Sequence, residues 1–395
     1  MSKQVGKSAS KNKKDEPLRH ALMAELSKID SHEPLVVEEK VENFTSRVKE
    51  NIVCYGGKAQ KYYFPEFAAS FEDIPFPPIE NPRFTFIDLF AGIGGFRLAC
   101  QSQGGRCVFS SELDNNAQTT YMHNYGEMPF GDITLPETKK FIPENFDVLC
   151  GGFPCQAFSV AGHRGGFEDT RGTLFFDVAE IVQNHKPKVV FLENVKGLLN
   201  HKNGHTWTVI KNTLQDIGYH VDYRILNSME YGDVPQTRER VYIICLRNDI
   251  FQKKGAIVWP DPIPLTKTVQ SILEDKVDKC NFYERFDIYP ILKQTVTNPN
   301  TSYQWRRIYV RENKNNVFPT LTANMGTGGH NVPLVLDKHQ IIRKITPKEC
   351  SRIQGFPENF VMPRIAASHL YKQFGNSVSL PVIKRLACAI VQKIL

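Results

Sequence analysis

Three short stretches of the chain carry residues fit for covalent and acid–base chemistry. The first is Gly151-Gly152-Phe153-Pro154-Cys155-Gln156, which follows an apolar run ending at Cys150. A cysteine placed after two glycines and a proline, at a strand end, faces a site rather than a core. Its thiolate would be a strong nucleophile, more so beside a positive charge that lowers its pKa. A buried loop cysteine fits the same residues. The second stretch is Phe191-Leu192-Glu193-Asn194-Val195. It sets a carboxyl on the same sheet edge as Cys155, where an apolar setting can raise its pKa and make it an acid. A capping or surface glutamate is the plainer alternative. The third is Gln236-Thr237-Arg238-Glu239-Arg240, just before another apolar run. Its two arginines could stabilise an anion, or form a solvated turn.

A fourth stretch could hold a ligand. The run Phe84–Phe90 leads directly into Ala91-Gly92-Ile93-Gly94-Gly95. A strand that ends in glycines and opens a helix lets a ligand approach the backbone. Glu112 follows a second strand, where it could accept from ribose hydroxyls, and Asp132 follows a further segment, where it could receive an adenine amino group. The spacing is neither Gly-x-Gly-x-x-Gly nor a P-loop, so a nucleoside without a triphosphate fits better than ATP or NAD. Glycines serving only a tight turn remain the alternative. After Cys155, Gly162–Thr173 is rich in Gly, His and Arg and could form a basic lid over a phosphate backbone. An ordinary surface loop is the other reading.

These stretches need elements to position them. Phe84–Phe90, Arg106–Ser111, Phe146–Cys150, Lys188–Glu193, Val221–Leu226 and Val241–Leu246 are short, β-branched-rich runs. Helical patterns lie between them, notably Leu174–Gln183 and Thr206–Gly218. Strands alternating with helices predict an α/β fold with a parallel, doubly wound sheet, which holds ligands at the carboxyl ends of its strands. Residues 1–83 read as an N-terminal arm, Lys-rich and partly disordered, with a Pro-rich linker. Residues 84–250 form the catalytic and cofactor-binding part, 251–340 a loop-rich domain, and 341–395 return to complete the catalytic part, ending in a helix over about Leu380–Ile394.

With 395 residues, 23% charged and a net charge of +7, the composition is that of a globular protein compatible with a polyanionic partner. No apolar run is long enough for a membrane span and no secretory signal is visible, so a cytoplasmic protein is expected. Nine cysteines occur without a Cys-x-x-Cys pair, which argues against a zinc site or a disulfide framework. His201 and His205 have metal-ligand spacing but no flanking acid or thiol, so no metal is expected.

Taken in this order, five motifs resemble the DNA (cytosine-5) methyltransferase family. They are Asp88–Gly95, Gly152–Gln156, Glu193–Val195, Gln236–Arg240 and Gln373–Val378. The resemblance spans about Phe84–Asn248 and Ile341–Leu395 and is best to bacterial enzymes of restriction–modification systems. It implies a Rossmann-like domain dependent on S-adenosyl-L-methionine, with a smaller target-recognition domain and duplex DNA between them. Residue by residue, Phe90, Gly92, Ile93, Gly95, Glu112, Asp132, Ile133, Pro154, Leu174 and Asn376 match cofactor-site positions. Leu113 stands where the family often has Trp, so Phe90 is left to stack on adenine.

By the same resemblance, Cys155 adds to carbon 6 of cytosine while Glu193 binds or protonates ring nitrogen 3. Arg240 holds the base carbonyl, and Arg238 is a second candidate for target or phosphate contact. The base must leave the duplex to be reached. Gln156, Ser159 and Arg171 are the candidates for DNA contact around the closing loop. Within 251–340, Arg307 is the candidate for guanine in the major groove, and Arg306 and Arg311 for phosphates. Thr320-Leu321 resembles the short signature of the family's recognition domains. A charged hairpin face would look the same. The resemblance further implies a bacterial, nucleoid-associated monomer, whose cognate restriction endonuclease acts on the same site without direct contact. Two alternatives are carried: a tRNA cytosine-5 methyltransferase, and a non-catalytic DNA-binding regulator. The second predicts a lost nucleophile or acid, yet Cys155 and Glu193 are both present.

Overall fold

In the computed structural model, alternation of side chains along the strands builds a sheet buried on both faces. Strands β3 (Phe84–Leu89), β4 (Gly105–Ser111), β5 (Val148–Gly151), β6 (Val189–Val195), β7 (Tyr219–Asn227) and β8 (Glu239–Arg247) make one six-stranded sheet, ordered β4-β3-β5-β6-β8-β7. Phe86, Val148, Phe191 and Ile244 point to one face, where helices Gly95–Gln101, Asn115–Tyr125 and Leu380–Ile394 cover them. Leu89, Leu149, Val190 and Ile243 point to the other, under helices Leu174–His185 and His205–Asp216. Both helices were legible in the sequence to within two residues at most of their ends. At about 25 cal/mol per Å2 of apolar area buried, two such faces supply the main driving force.

The sheet departs from a fully parallel one. Strands β4, β3, β5 and β6 run parallel, but β8 pairs antiparallel with β6, and β7 antiparallel with β8. The cause is the short connection between β7 and β8, which permits a hairpin but no crossover. Strand β8 therefore slots between β6 and β7 in reverse, and its N-terminal end lies beside the C-terminal end of β6, with Val195 opposite Arg240.

A second, four-stranded antiparallel sheet is ordered β10-β9-β11-β12, from β9 (Tyr303–Trp305), β10 (Val310–Glu312), β11 (Leu334–Leu336) and β12 (Ile342–Lys344). Its core is small: Tyr283, Leu292, Val296, Tyr303, Leu334, Leu336 and Ile342. This sheet lies in the loop-rich stretch but takes in residues beyond 340. Arg343 on β12 is fully buried and held by Glu349, with Nη1 to Oε2 at 2.9 Å and Nη2 to Oε1 at 2.7 Å.

The structure describes residues 51–55, 58–62, 74–154, 174–306, 308–326 and 332–395. All belong to one compact unit, residues 50–62 with 66–395. Asn51–Tyr55 (β1) and Lys58–Tyr62 (β2) pair as an antiparallel hairpin that sequence reading of the arm did not anticipate. The weak helical patterns at 16–30 and 36–50 lie outside the described residues. The stretch Ala367–Ile394 is apolar and long enough to cross a membrane by composition, contrary to the sequence reading. It is two helices, Ala367–Asn376 and Leu380–Ile394, and 61% of its apolar window is buried in the protein, as for a core element.

Candidate active site

Every parallel strand of the large sheet delivers one functional loop to the same edge. After β3 the backbone turns sharply: Phe90, Gly92 and Gly94 have φ of 55°, 56° and 83°. Phe90 holds this left-handed conformation as a bulky residue, which costs energy and is seen where a site over-determines the backbone. The glycines differ in purpose. A Cβ on Gly94 would collide with the ring of Tyr125, whose hydroxyl donates to the Gly94 carbonyl at 2.8 Å. A Cβ on Gly92 would meet nothing within 4 Å and would project into the open cleft.

The loop is braced from β4. Glu112 Oε2 accepts from the Gly92 N–H at 2.8 Å and Oε1 from the Asp114 N–H at 2.7 Å. Burial raises the Glu112 pKa, against the pull of these amides. Asp132 lies alongside, its Oδ1 accepting from the Thr134 N–H and hydroxyl at 2.9 and 2.8 Å. The Leu113 side chain is 67% exposed on the rim, where the sequence lacks an aromatic.

After β5 the chain reaches Pro154. Here Asn194 of β6 donates its Nδ2 to the Phe153 carbonyl at 2.8 Å. This pins the backbone two residues before Cys155. Cys155, Gln156, Ser159 and Arg171 lie outside the described residues. Burial pushes the Cys107 thiol up to about 12 and raises those of Cys150, Cys245 and Cys350 as well, which leaves them protonated and poor nucleophiles.

Glu193, on the other side of Asn194, is almost fully buried. Its Oε1 lies 3.1 Å from Arg240 Nε, close enough for an ion pair but not aligned as a hydrogen bond, so the oxygen has no hydrogen-bond partner among the described residues. Burial raises its pKa, while the charges of Arg240 and Arg238 pull it down. A buried carboxyl whose pKa is raised holds its proton more readily and can act as an acid.

Arg238 is placed differently from Arg240. It is buried, with Nη1 donating to the Leu321 carbonyl at 2.9 Å and Nη2 to the carbonyls of Ser377 at 2.6 Å and Gly375 at 3.3 Å. The sequence reading of Arg238 as a phosphate or target contact is therefore corrected: its fork is spent on backbone. Reverse running of β8 explains why, since Arg238 precedes the strand and sits under the loops that cover its start.

These loops enclose a cleft of about 750 Å3. It is lined by all ten residues singled out for the cofactor, Phe90, Gly92, Ile93, Gly95, Glu112, Asp132, Ile133, Pro154, Leu174 and Asn376, together with Glu193, Arg238 and Arg240. Sequence reasoning missed Asn194 as a loop anchor and Lys372, whose Nζ lies 2.6 Å from Asp114 Oδ2 at the rim. Asn194 stood inside a motif; nothing in the sequence pointed to Lys372. A second cleft of about 530 Å3 opens beside the small sheet, lined by Arg306, Arg311 and Thr320 with Thr237, Gln304 and Trp305. Arg306 there donates to Gln304 Oε1 at 3.2 Å, and Thr320 donates its hydroxyl to the Thr237 carbonyl at 2.6 Å. Arg307 lies outside the described residues. Among the described residues, no cluster of His, Cys, Asp and Glu could hold a metal.

Residues 84–392 match the family model for C-5 cytosine-specific DNA methylase. The chain is 48% identical over 303 residues to the Type II methyltransferase M.Bsp6I of Bacillus sp. (strain RFL6), covering 76% of this chain and 96% of that one. It is 45% identical over 345 residues to the Type II methyltransferase M.HpaII of Haemophilus parainfluenzae, covering 81% of this chain and 93% of that one. Among solved structures, the fold is similar to that of a DNMT2 mutant from Spodoptera frugiperda, with a TM-score of 0.59, 21% identity, and coverage of 78% of this chain and 99% of that one. The five motifs, the parallel-rich sheet and these relatives agree: the chain belongs to the C-5 cytosine-specific DNA methylase family.

Proposed function

We propose that the chain transfers a methyl group from S-adenosyl-L-methionine to carbon 5 of a cytosine flipped out of a short, specific duplex DNA sequence. It does so as the modification enzyme of a restriction–modification system, as the names of its relatives suggest. The observation that carries this reading is the Glu193–Arg240 pair, which opens on the same cleft as the Gly92 loop and Pro154.

The cleft fits the cofactor on its own features. Gly92 leaves room against the backbone, the Glu112 carboxylate sits beneath it, and Phe90, Ile133 and Leu174 offer apolar surface for a nucleoside. When bound, S-adenosylmethionine supplies an electrophilic methyl group. The protein's part is to activate a base whose carbon 5 is a poor nucleophile. The Cys155 thiolate forms a bond to carbon 6, and the electron pair displaced moves toward ring nitrogen 3. Glu193 places a proton there, which turns carbon 5 into an enamine carbon. Arg240 holds Glu193 in place and offers its guanidinium to the base carbonyl. After methylation, water takes the carbon 5 proton, Cys155 leaves carbon 6 as a thiolate, and the nitrogen 3 proton returns to Glu193, which restores the ring. Asn194 fixes the approach of the Cys155 loop through Phe153.

Arg306, Arg311 and Thr320 are assigned to DNA, with Arg307 the candidate for guanine. The protein acts as a cytoplasmic monomer, on a site shared with its endonuclease but without contact to it. Labelled methyl transfer to duplex DNA and to tRNA, side by side, tests the reading. Incorporation only into tRNA would sink it. A covalent adduct with duplex containing 5-fluorocytosine is expected for the native chain and not for Cys155→Ala, which should also lose transfer while still binding cofactor.

A further inference from the structure

The segment Gln236–Arg240 is a wall between the two clefts. Thr237 lines one and Arg238 and Arg240 line the other. We propose that Arg238 is a positioning residue that couples the seating of residues 318–323 on DNA to the Glu193–Arg240 pair. The inference rests on the DNA methyltransferase reading above.

The geometry supports it from both sides. From the recognition side, the Leu321 carbonyl accepts from Arg238 Nη1, the Leu321 N–H donates to Gln236 Oε1 at 3.0 Å, and Thr320 bonds the Thr237 carbonyl. From the cofactor side, Ser377 and Gly375 accept from Arg238 Nη2. Gln236 Nε2 donates to Gln354 Oε1 at 3.1 Å, and Gln354 Nε2 to the Phe374 carbonyl at 2.6 Å. The two sides also touch directly, for a Cβ on Gly375 would fall on the Thr322 backbone. Moving 318–323 must therefore move the fork of Arg238.

Arg238 is also a buried charge which, among the described residues, has no carboxylate in ion-pair range and no hydrogen-bond partner for its Nε. Apolar side chains can tie loops together at lower cost than a desolvated guanidinium. What the charge adds is a field. The charged and titratable groups facing Arg238 are Arg240, Glu193 and Tyr242, and those facing Glu193 are Arg240, Arg238 and Tyr242. Burial, then Arg240, bring the Arg238 pKa down to about 9, so it remains charged at neutral pH and helps lower that of Glu193. A displaced fork changes both the position and the protonation of the acid.

The test uses the full chain with two substitutions, Arg238→Met and Arg238→Lys. The substrates are a duplex carrying the site found by bisulfite mapping and a duplex with one base of that site changed. Arg238→Met is expected to lower kcat about 100-fold, as misplacement by an ångström can do. Its KM for DNA and its affinity for S-adenosylhomocysteine should stay within about threefold. The limb of the pH profile set by Glu193 should move to higher pH, because a neighbouring positive charge is gone. Arg238→Lys keeps the charge but not the fork. It should leave that limb in place and lower discrimination between the two duplexes about tenfold. Should Arg238→Met fail to fold, Arg238→Lys decides. Equal losses on both duplexes, or unchanged discrimination in Arg238→Lys, would overturn the coupling, and so would an unmoved limb in Arg238→Met. No transfer to duplex DNA by the native chain would overturn the proposed function itself, and this inference with it.

Discussion

Replacing Glu193 by Gln tests the acid most directly. Gln keeps the shape and one acceptor for Arg240, so packing at this buried site is preserved. What is lost is the transferable proton. General acid catalysis contributes about 100- to 10,000-fold, which at 1.36 kcal/mol per tenfold is about 3–5 kcal/mol of barrier. Among the described residues Oε1 has no hydrogen-bond partner, so the loss should fall on the proton it delivers to the base. The pH dependence has a definite sign. Burial, opposed by Arg240 and Arg238, holds the Glu193 pKa above the ordinary glutamate range. The acid form is thus present below that raised value and is lost as pH rises through it. Single-turnover transfer of a tritiated methyl group across pH should show this falling limb in the native chain and not in Glu193→Gln. Stability follows the same sign: the contribution is complete below the unfolded value of about 4.3 and is lost as pH rises through the folded one. That loss should disappear in Glu193→Gln. A rate within about tenfold of native, or a persisting limb, would refute the assignment of Glu193 as the acid.

Two further substitutions separate binding from folding. Gly92→Ala puts a Cβ into the cleft from a residue at φ 56°. It should cost about 1 kcal/mol in backbone strain, seen as a small drop in Tm, while affinity for S-adenosylhomocysteine by calorimetry falls about tenfold. Glu349→Ala strips the buried Arg343 of its bidentate partner and leaves Asp337, 3.2 Å from Nε, as its carboxylate partner among the described residues, with the Lys344 carbonyl on Nη1. It should lower the free energy of urea unfolding by about 3–5 kcal/mol, with kcat of the folded fraction retained.

Much of the site was legible because parallel strands end at a common edge, so Gly92, Glu112, Pro154 and Glu193 could be placed together from the order of apolar runs alone. Two kinds of feature were not. The reversal of β8 depends on tertiary pairing, and it decided that Arg240 meets Glu193 while Arg238 is buried under loops. The helix Asn115–Tyr125 buries Gln118, Thr120 and Asn124 alongside Ala117, Tyr121, Met122 and Tyr125, so polar residues on its inward face blur the apolar stripe by which a helix is read. Here the polar groups are satisfied by tertiary partners, such as Gln373 for Thr120 and the Val361 backbone for Asn124. The strands of the small sheet are three residues long, too short for alternation to register.

The antiparallel join of β6 and β8 bears on how such a chain can vary. Glu193 and Arg240 are distant in sequence, yet they are diagonal neighbours across one ladder, since Glu193 faces Tyr242 and Val195 faces Arg240. Both faces of β8 are apolar and covered, with Tyr242 and Ile244 on one and Val241 and Ile243 on the other. A slip by one residue would exchange these faces and carry Arg240 away from Glu193. Insertions in the exposed turn at Lys202–Asn203 between the two strands face no such barrier, since each doubling of a flexible loop costs only about 0.6 kcal/mol. The turn at Lys202–Asn203, before helix His205–Asp216, can therefore lengthen while the distance between acid and guanidinium stays fixed.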